Sequence, residues 1–208
     1  MTGGEHTRDR LVRAARAHLD ERGLDGLSLR AIARRAGVSH GAPLRHFPGV
    51  DHLLAAVAAE GFRDLHRFVE KATLEAPDDD APDRLRHAGR GYVRFATSNP
   101  GVFELMFRHE RYAAQEPELL EAGAVAFLQL VGLVTDAQAG GWHPSDQPGE
   151  LAAMVWSGVH GVASLWIPGT MASAVALTGA TADLDRIVDL VVTVIAGDPT
   201  PAPRRKST

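Results

Sequence analysis

Ser28, Arg30, Ser39, His40, Arg45 and His46 set hydroxyl, guanidinium and imidazole donors within one short run, Ser28 to Phe47 (SLRAIARRAGVSHGAPLRHF). Donors of these kinds, carried along two short helices, suit contact with phosphate oxygens and with the acceptor edges of bases. Ser28 is a natural N-cap for a helix that puts Leu29, Ile32, Ala33 and Ala36 on one apolar stripe. Gly37 stops that helix, because glycine reaches the left-handed conformation that a tight turn needs. Val38 anchors the turn, and Ser39 is placed to cap a second helix over His40 to His46. Two short helices joined by a glycine turn make the helix-turn-helix pattern, whose second helix enters the major groove.

On that second helix His40, Gly41 and Ala42 stand at the entry to the groove, with Arg45 one turn later. Arg45 can donate to guanine or to phosphate, and so can His40; Ala42 can meet only an apolar group such as a thymine methyl. Gly41 lets the backbone approach closely. Pro43 costs little in a first helical turn, where the missing N–H has no partner. Ser28, Arg30, Ser39 and His46 are candidates for phosphate contacts, which orient a protein on DNA without reading sequence. For Arg30 and His46 a purely structural role is the alternative, and Phe47 belongs to the core.

The run Leu29-x-x-Ile32-Ala33-x-x-Ala36-Gly37-Val38-Ser39-x-Gly41, followed by His46-Phe47 and Leu53-Leu54, resembles the TetR family of bacterial one-component transcriptional regulators. Two positions depart from the family pattern. Leu44 stands where Tyr is common, and Val50 where Lys is common. Both family residues tend to touch backbone phosphates, so the grip on DNA is expected to be weaker or differently distributed. Asn99-Pro100-Gly101-x-Phe103-x-Leu105-Met106-Phe107 and Trp156-x-Gly158-x-His160-Gly161 resemble, more loosely, the ligand-binding domain of a subgroup of the same family.

Composition agrees with a globular chain: 45% of the 208 residues are hydrophobic, and no eighteen consecutive residues are all apolar. The N-terminal MTGGEHTRDR lacks the apolar core of a signal peptide, and cysteine is absent. A cytoplasmic protein without disulfides, cysteine metal sites or a membrane span is expected. The first fifty residues carry nine arginines against five acids, which leaves the rest of the chain at −8 within a total of −4. A basic segment on an acidic body is what attraction to phosphates requires; an ordinary solvated face is the alternative.

The elements that must position these residues are all helical. Thr7 can cap a helix over Arg8 to Arg22, with Leu11, Val12, Ala15 and Leu19 inward and Gly23 at its end. Leu24, Leu27, Leu29, Ile32, Val38 and Phe47 complete the core of a three-helix head. A long helix follows over Val50 to Ala76; the resemblance implies that it is the lever through which a ligand acts on the head. Pro77 to Pro82 reads as an exposed acidic loop. Further helices are expected over Asp83 to Ser98, Val102 to His109, Pro117 to Ala139, Pro148 to Ile167 and Asp183 to Ala196, with a loop or weak helix over 169–182. That makes an all-α protein of about nine or ten helices: a DNA-binding domain over 1–49, a ligand-binding and dimerisation domain over 50–197, and a disordered tail over 198–208.

Catalytic patterns are incomplete. His109-Glu110 opens like a zinc-protease helix, but Ala113 stands where the second histidine belongs. Gly89-Arg90-Gly91 opens like a dinucleotide loop, but Arg94 takes the third glycine's place. No nucleophile elbow or Walker loop occurs. Neither a metal site nor a cofactor is expected, and no enzyme activity.

A small-molecule cavity needs apolar walls and a few placed polar groups, for which Tyr92, Phe95, Phe103, Met106, Phe107, Trp156, His160 and Trp166 are the inward candidates. Each can instead be plain core. His160, on an otherwise apolar helix, needs a partner, which a ligand carbonyl or carboxylate or a neighbouring side chain can supply. The resemblance implies a homodimer paired through the last two long helices, a double-stranded operator with two half-sites, and a small hydrophobic effector that releases the repressor. The rival readings are a regulator acting through a protein partner, and a helical ligand carrier or enzyme that has kept the fold.

Overall fold

The computed structural model describes residues 3–76, 81–108 and 116–196. The acidic run Pro77 to Asp80, the His109-Glu110 pair and the expected tail lie outside these residues. Nine α-helices and one 3-10 helix make up the described chain, with no strand: α1 (Gly3–Arg22), α2 (Leu29–Ala36), a one-turn 3-10 helix (Pro43–Arg45), α3 (Val50–Leu74), α4 (Ala81–Ser98), α5 (Pro100–Met106), α6 (Pro117–Ala139), α7 (Pro148–Trp166), α8 (Thr170–Ala176) and α9 (Leu184–Ala196). The fold class is therefore the expected one.

Several boundaries differ from the expected ones. Thr7 lies inside α1, which starts at Gly3. α4 begins at Ala81, so Pro82 sits in its first turn and not in a loop. α5 begins at Pro100 and stops at Met106, because proline suits a first turn and the Phe103 N–H already closes on the Asn99 carbonyl at 2.8 Å. The segment 169–182 contains the two-turn helix α8.

Contacts divide the chain into two compact units, Met1–Arg67 with Ser98–Ala126 and Phe68–Thr97 with Phe127–Thr208. In the first unit the inward face of α1 (Leu11, Val12, Ala15, Leu19) is buried, as are Ile32 and Ala33 of α2 and Phe47. Leu24, Leu27, Leu29 and Val38, expected in the same core, are only half-buried. α5 lies directly on the end of α1: a Cβ on Gly101 would stand 2.5 Å from the Leu19 carbonyl oxygen. Arg16 of α1 pairs with Asp64 of α3 and donates to Asn99 Oδ1 at 3.3 Å, tying α1 to α3 and to the start of α5. The start of α6 joins the same unit through Glu118, which accepts from Arg8 at 2.6 Å and from Arg63 at 3.0 Å.

In the second unit α4 is held to α9 by a double hydrogen bond from Arg90 to Asp189, 2.8 Å at Nε, and by Arg94 to Asp185 at 3.1 Å. α7 meets α9 at Gly158, where a Cβ would lie 2.6 Å from Val191. Met154 and Leu165 of α7 and Leu190 and Val194 of α9 stay exposed, Val194 at 77%. α6 is long and apolar enough to cross a membrane by length and composition, with a mean hydropathy of 1.5 over its most apolar window. Its buried residues Leu119, Ala122, Val134 and Ala137 nevertheless recur on a helical period, and polar pairs hold it at Glu118.

Candidate functional site

The backbone around Ser28 to Phe47 is pinned at both ends of α2. Ser28 is extended (φ −154°, ψ 154°), and its hydroxyl accepts the Ala31 N–H at 3.2 Å, the expected cap. Gly37 takes φ 65°, and the Val38 N–H reaches back to the Ala33 carbonyl at 3.0 Å. This is the left-handed stop that glycine permits. Arg10 of α1 adds a guanidinium over the same helix end, donating to the carbonyls of Ala36 (2.5 Å) and Gly37 (3.2 Å).

The expected helix over His40 to His46 does not form. Instead the Ala42 N–H bonds to the Ser39 carbonyl at 3.0 Å, and a single 3-10 turn follows over Pro43–Arg45. Pro43 offers no N–H to continue an α-helical ladder from Ser39, and Gly41 gains little from helical geometry, so the chain closes on three-residue bonds. Ser39 contributes its backbone carbonyl, and the turn has no side-chain cap, contrary to the expectation for that hydroxyl. Phe47 then bonds to the Pro43 carbonyl at 2.8 Å and is buried beneath the Arg8 guanidinium, 5.5 Å from its ring centroid.

Ser28, Arg30, Ser39, His40, Gly41 and Arg45 are exposed, and Ala42 and His46 half-buried. Among the described residues Arg30, Arg34 and Arg45 have no acidic partner, whereas Arg35 is paired with Glu21 at 2.7 Å and holds that carboxyl below its ordinary range. His18 is not among the residues that the sequence pattern singles out. It is buried and its Nε2–H donates to the Asp25 carbonyl at 2.9 Å, closing the loop between α1 and α2. A histidine one turn before a glycine-rich loop was the available signal.

In the second unit Tyr92, Trp156 and His160 come together. Trp156 Nε1–H donates to Tyr92 Oη at 3.2 Å, and Tyr92 Oη lies 2.8 Å from His160 Nδ1. The indole fixes the Tyr92 oxygen as an acceptor on one side, and on the other the phenol and the His160 Nδ1 share one hydrogen bond whose direction follows the imidazole tautomer. Burial raises the Tyr92 phenol well above its usual range, against a smaller opposing effect of the Trp156 hydrogen bond, and lowers the imidazole of His160. Phe127 stacks edge-on against Trp156 at 6.2 Å. Phe95 is fully buried against Phe68 at 5.7 Å, and Trp166 is half-buried at the end of α7. Phe103, Met106 and Phe107 belong to the first unit, where Phe103 and Phe107 meet at 5.2 Å and Phe62 closes on Phe107 at 5.7 Å. A separate cleft of about 290 Å³ in that unit is lined by Arg63, His66, Arg67, Glu121, Ala122 and Val125, none of them expected from the sequence.

The lowered pKa of His160 makes folding stability depend on pH. The unfolded imidazole titrates near 6.5 and the folded one below it, so between the two values the unfolded chain binds more protons. Stability is then complete above about pH 6.5 and falls as the pH drops through that window. Thermal melts from pH 7.5 to 5.5 are expected to show a shallower decline for His160→Asn than for wild type. Parallel curves would remove His160 as a source of the pH dependence.

A family profile described as "Tetracyclin repressor-like, C-terminal domain" matches residues 85–195, and one described as "Bacterial regulatory proteins, tetR family" matches residues 11–57. A solved structure of a protein of unknown function from Rhodococcus sp. RHA1 is 33% identical, covers 91% of this chain and 93% of its own, and superposes with a TM-score of 0.78. The fatty acid degradation regulator FadR from Bacillus halodurans superposes with a TM-score of 0.69 at 17% identity, covering 93% of this chain and 96% of its own, and shares the fold. An HTH-type transcriptional regulator of Mycobacterium tuberculosis is 29% identical over 137 residues, 66% of this chain, and the match spans 58% of that relative's length.

Proposed function

Because the chain belongs to the TetR family of bacterial regulatory proteins, a family of transcriptional regulators and not of enzymes, we propose that it is a homodimeric, cytoplasmic repressor released from its operator by a small hydrophobic molecule. The observation that carries this reading is the set of exposed, acid-free guanidiniums of Arg30, Arg34 and Arg45 around a helix-turn-helix whose backbone is fixed by Ser28, Gly37 and Arg10. A charged group left without a partner in the protein is available to a phosphate or a base edge. In this reading residues 1–49 are the DNA-binding head and 50–197 the ligand-binding and dimerisation domain. Ser28, Arg30, Ser39 and His46 hold phosphates while His40, Gly41, Ala42 and Arg45 face the groove.

The exposed apolar side chains Met154, Leu165, Leu190 and Val194 support pairing of two copies through α7 and α9. A two-fold dimer reads two inverted half-sites. Tyr92, Trp156 and His160 supply polar groups for an effector site within the second unit, with Phe95 and Trp166 as its apolar candidates; Trp156, His160 and Gly161 mark the subgroup. An effector that binds better when the heads are spaced wrongly for the operator lowers DNA affinity by its differential binding energy.

A gel-shift titration against DNA flanking the protein's own coding region, at low and moderate salt, tests the reading. A discrete complex that survives competitor DNA and weakens with salt is expected. No complex at either salt would sink it.

A further inference from the structure

Among the described residues before Val50, Leu44 is the one large apolar side chain left exposed, at 64%. Its neighbours in the turn behave differently: Pro43 is buried, and Arg45 is exposed but charged. The turn is closed by the Arg45 N–H on the Ala42 carbonyl at 3.2 Å, and Leu44 stands at its middle position. Gly41 has no side chain, and even an added Cβ there would meet nothing within 4 Å. The two long side chains this turn offers to a partner are therefore one cation and one hydrocarbon.

The hydrocarbon has a narrow choice of partner on DNA. Leucine has no donor for a phosphate, and covering a phosphate with it would strip water from a charge without replacing the lost hydrogen bonds. On the floor of the major groove the apolar group is the C5-methyl of thymine. We propose that Leu44 reads sequence directly, by packing on the methyl of one thymine in each operator half-site. This rests on the DNA-binding reading above and adds a base preference to it. Arg45 anchors the turn by charge, while Leu44 discriminates thymine from cytosine, which lacks that methyl.

The test uses the full chain and the DNA fragment retained in the gel-shift titration. Each thymine of a half-site is replaced in turn by deoxyuridine, which removes the methyl and nothing else. Wild-type protein should lose about five- to tenfold in affinity at one position per half-site. Leu44→Ala should lose a similar factor on unmodified DNA and nothing further when that same thymine becomes deoxyuridine. Leu44→Met, which keeps an apolar side chain of similar volume, should keep the sensitivity. The proposal is overturned if the losses from Leu44→Ala and deoxyuridine multiply at every position, as they would for a leucine packed on sugar, or if Leu44→Ala binds like wild type. Failure of wild-type protein to bind the unmodified fragment overturns the DNA-binding reading and this one with it, a result distinct from intact binding without coupling.

Discussion

Gly101→Val should cost more than about 3 kcal/mol of stability, enough to leave much of the protein unfolded at 37 °C. The Cβ would stand 2.5 Å from the carbonyl oxygen and 2.6 Å from the carbonyl carbon of Leu19, and both are backbone atoms of α1. Backbone inside a helix has no rotamer to change, so α5 itself would have to retreat. Retreat would pull Asn99 from Arg16 and lift Val102 and Met106 from Gly61, where their side chains sit within about 3 Å of the space a Cβ would fill. The core between α1, α3 and α5 would open together and not at one point. Urea unfolding followed by far-UV circular dichroism measures this directly. A midpoint equal to that of wild type would show that α5 can stand off from α1 without penalty.

Arg45→Ala should weaken operator binding by about ten- to a hundredfold while leaving stability and assembly unchanged. The side chain is exposed and has no acidic partner among the described residues, so its removal breaks nothing inside the protein. The salt dependence tells which group it touches. Loss of a phosphate contact lowers the slope of log affinity against log salt by about one and affects all sequences alike; loss of a guanine contact relaxes specificity at one base pair. Equal affinity for the variant and wild type would strike Arg45 from the interface.

Where the local code is strong, the sequence reads almost to the residue. Pro117 and Gly140 bracket α6, and Ser28 and Gly37 bracket α2, each by a device that acts within a few residues. The code fails where two local signals compete: Ser39 argues for a cap, while Gly41 and Pro43 argue against the helix it would cap, and the latter pair prevails. It is silent on pairings across long separations. Periodicity places Tyr92 and His160 on inward faces of α4 and α7, but their 2.8 Å contact depends on how those helices dock. The same holds for Glu118, whose two arginine partners lie 110 and 55 residues away and follow no periodicity. Arg10 at the end of α2 belongs with these, since a helix end shows that it needs a cation and not which residue brings it.

The proline that cuts the recognition turn short also bears on the thermodynamics of association. Pro43 fixes its own backbone dihedral, is buried, and accepts the N–H groups of both His46 and Phe47, so this turn is largely ordered before any partner arrives. Little conformational entropy remains to be surrendered by the backbone on binding. The heat capacity change of complex formation should therefore track the apolar area covered, Leu44 included, without the larger contribution of a segment that folds as it docks.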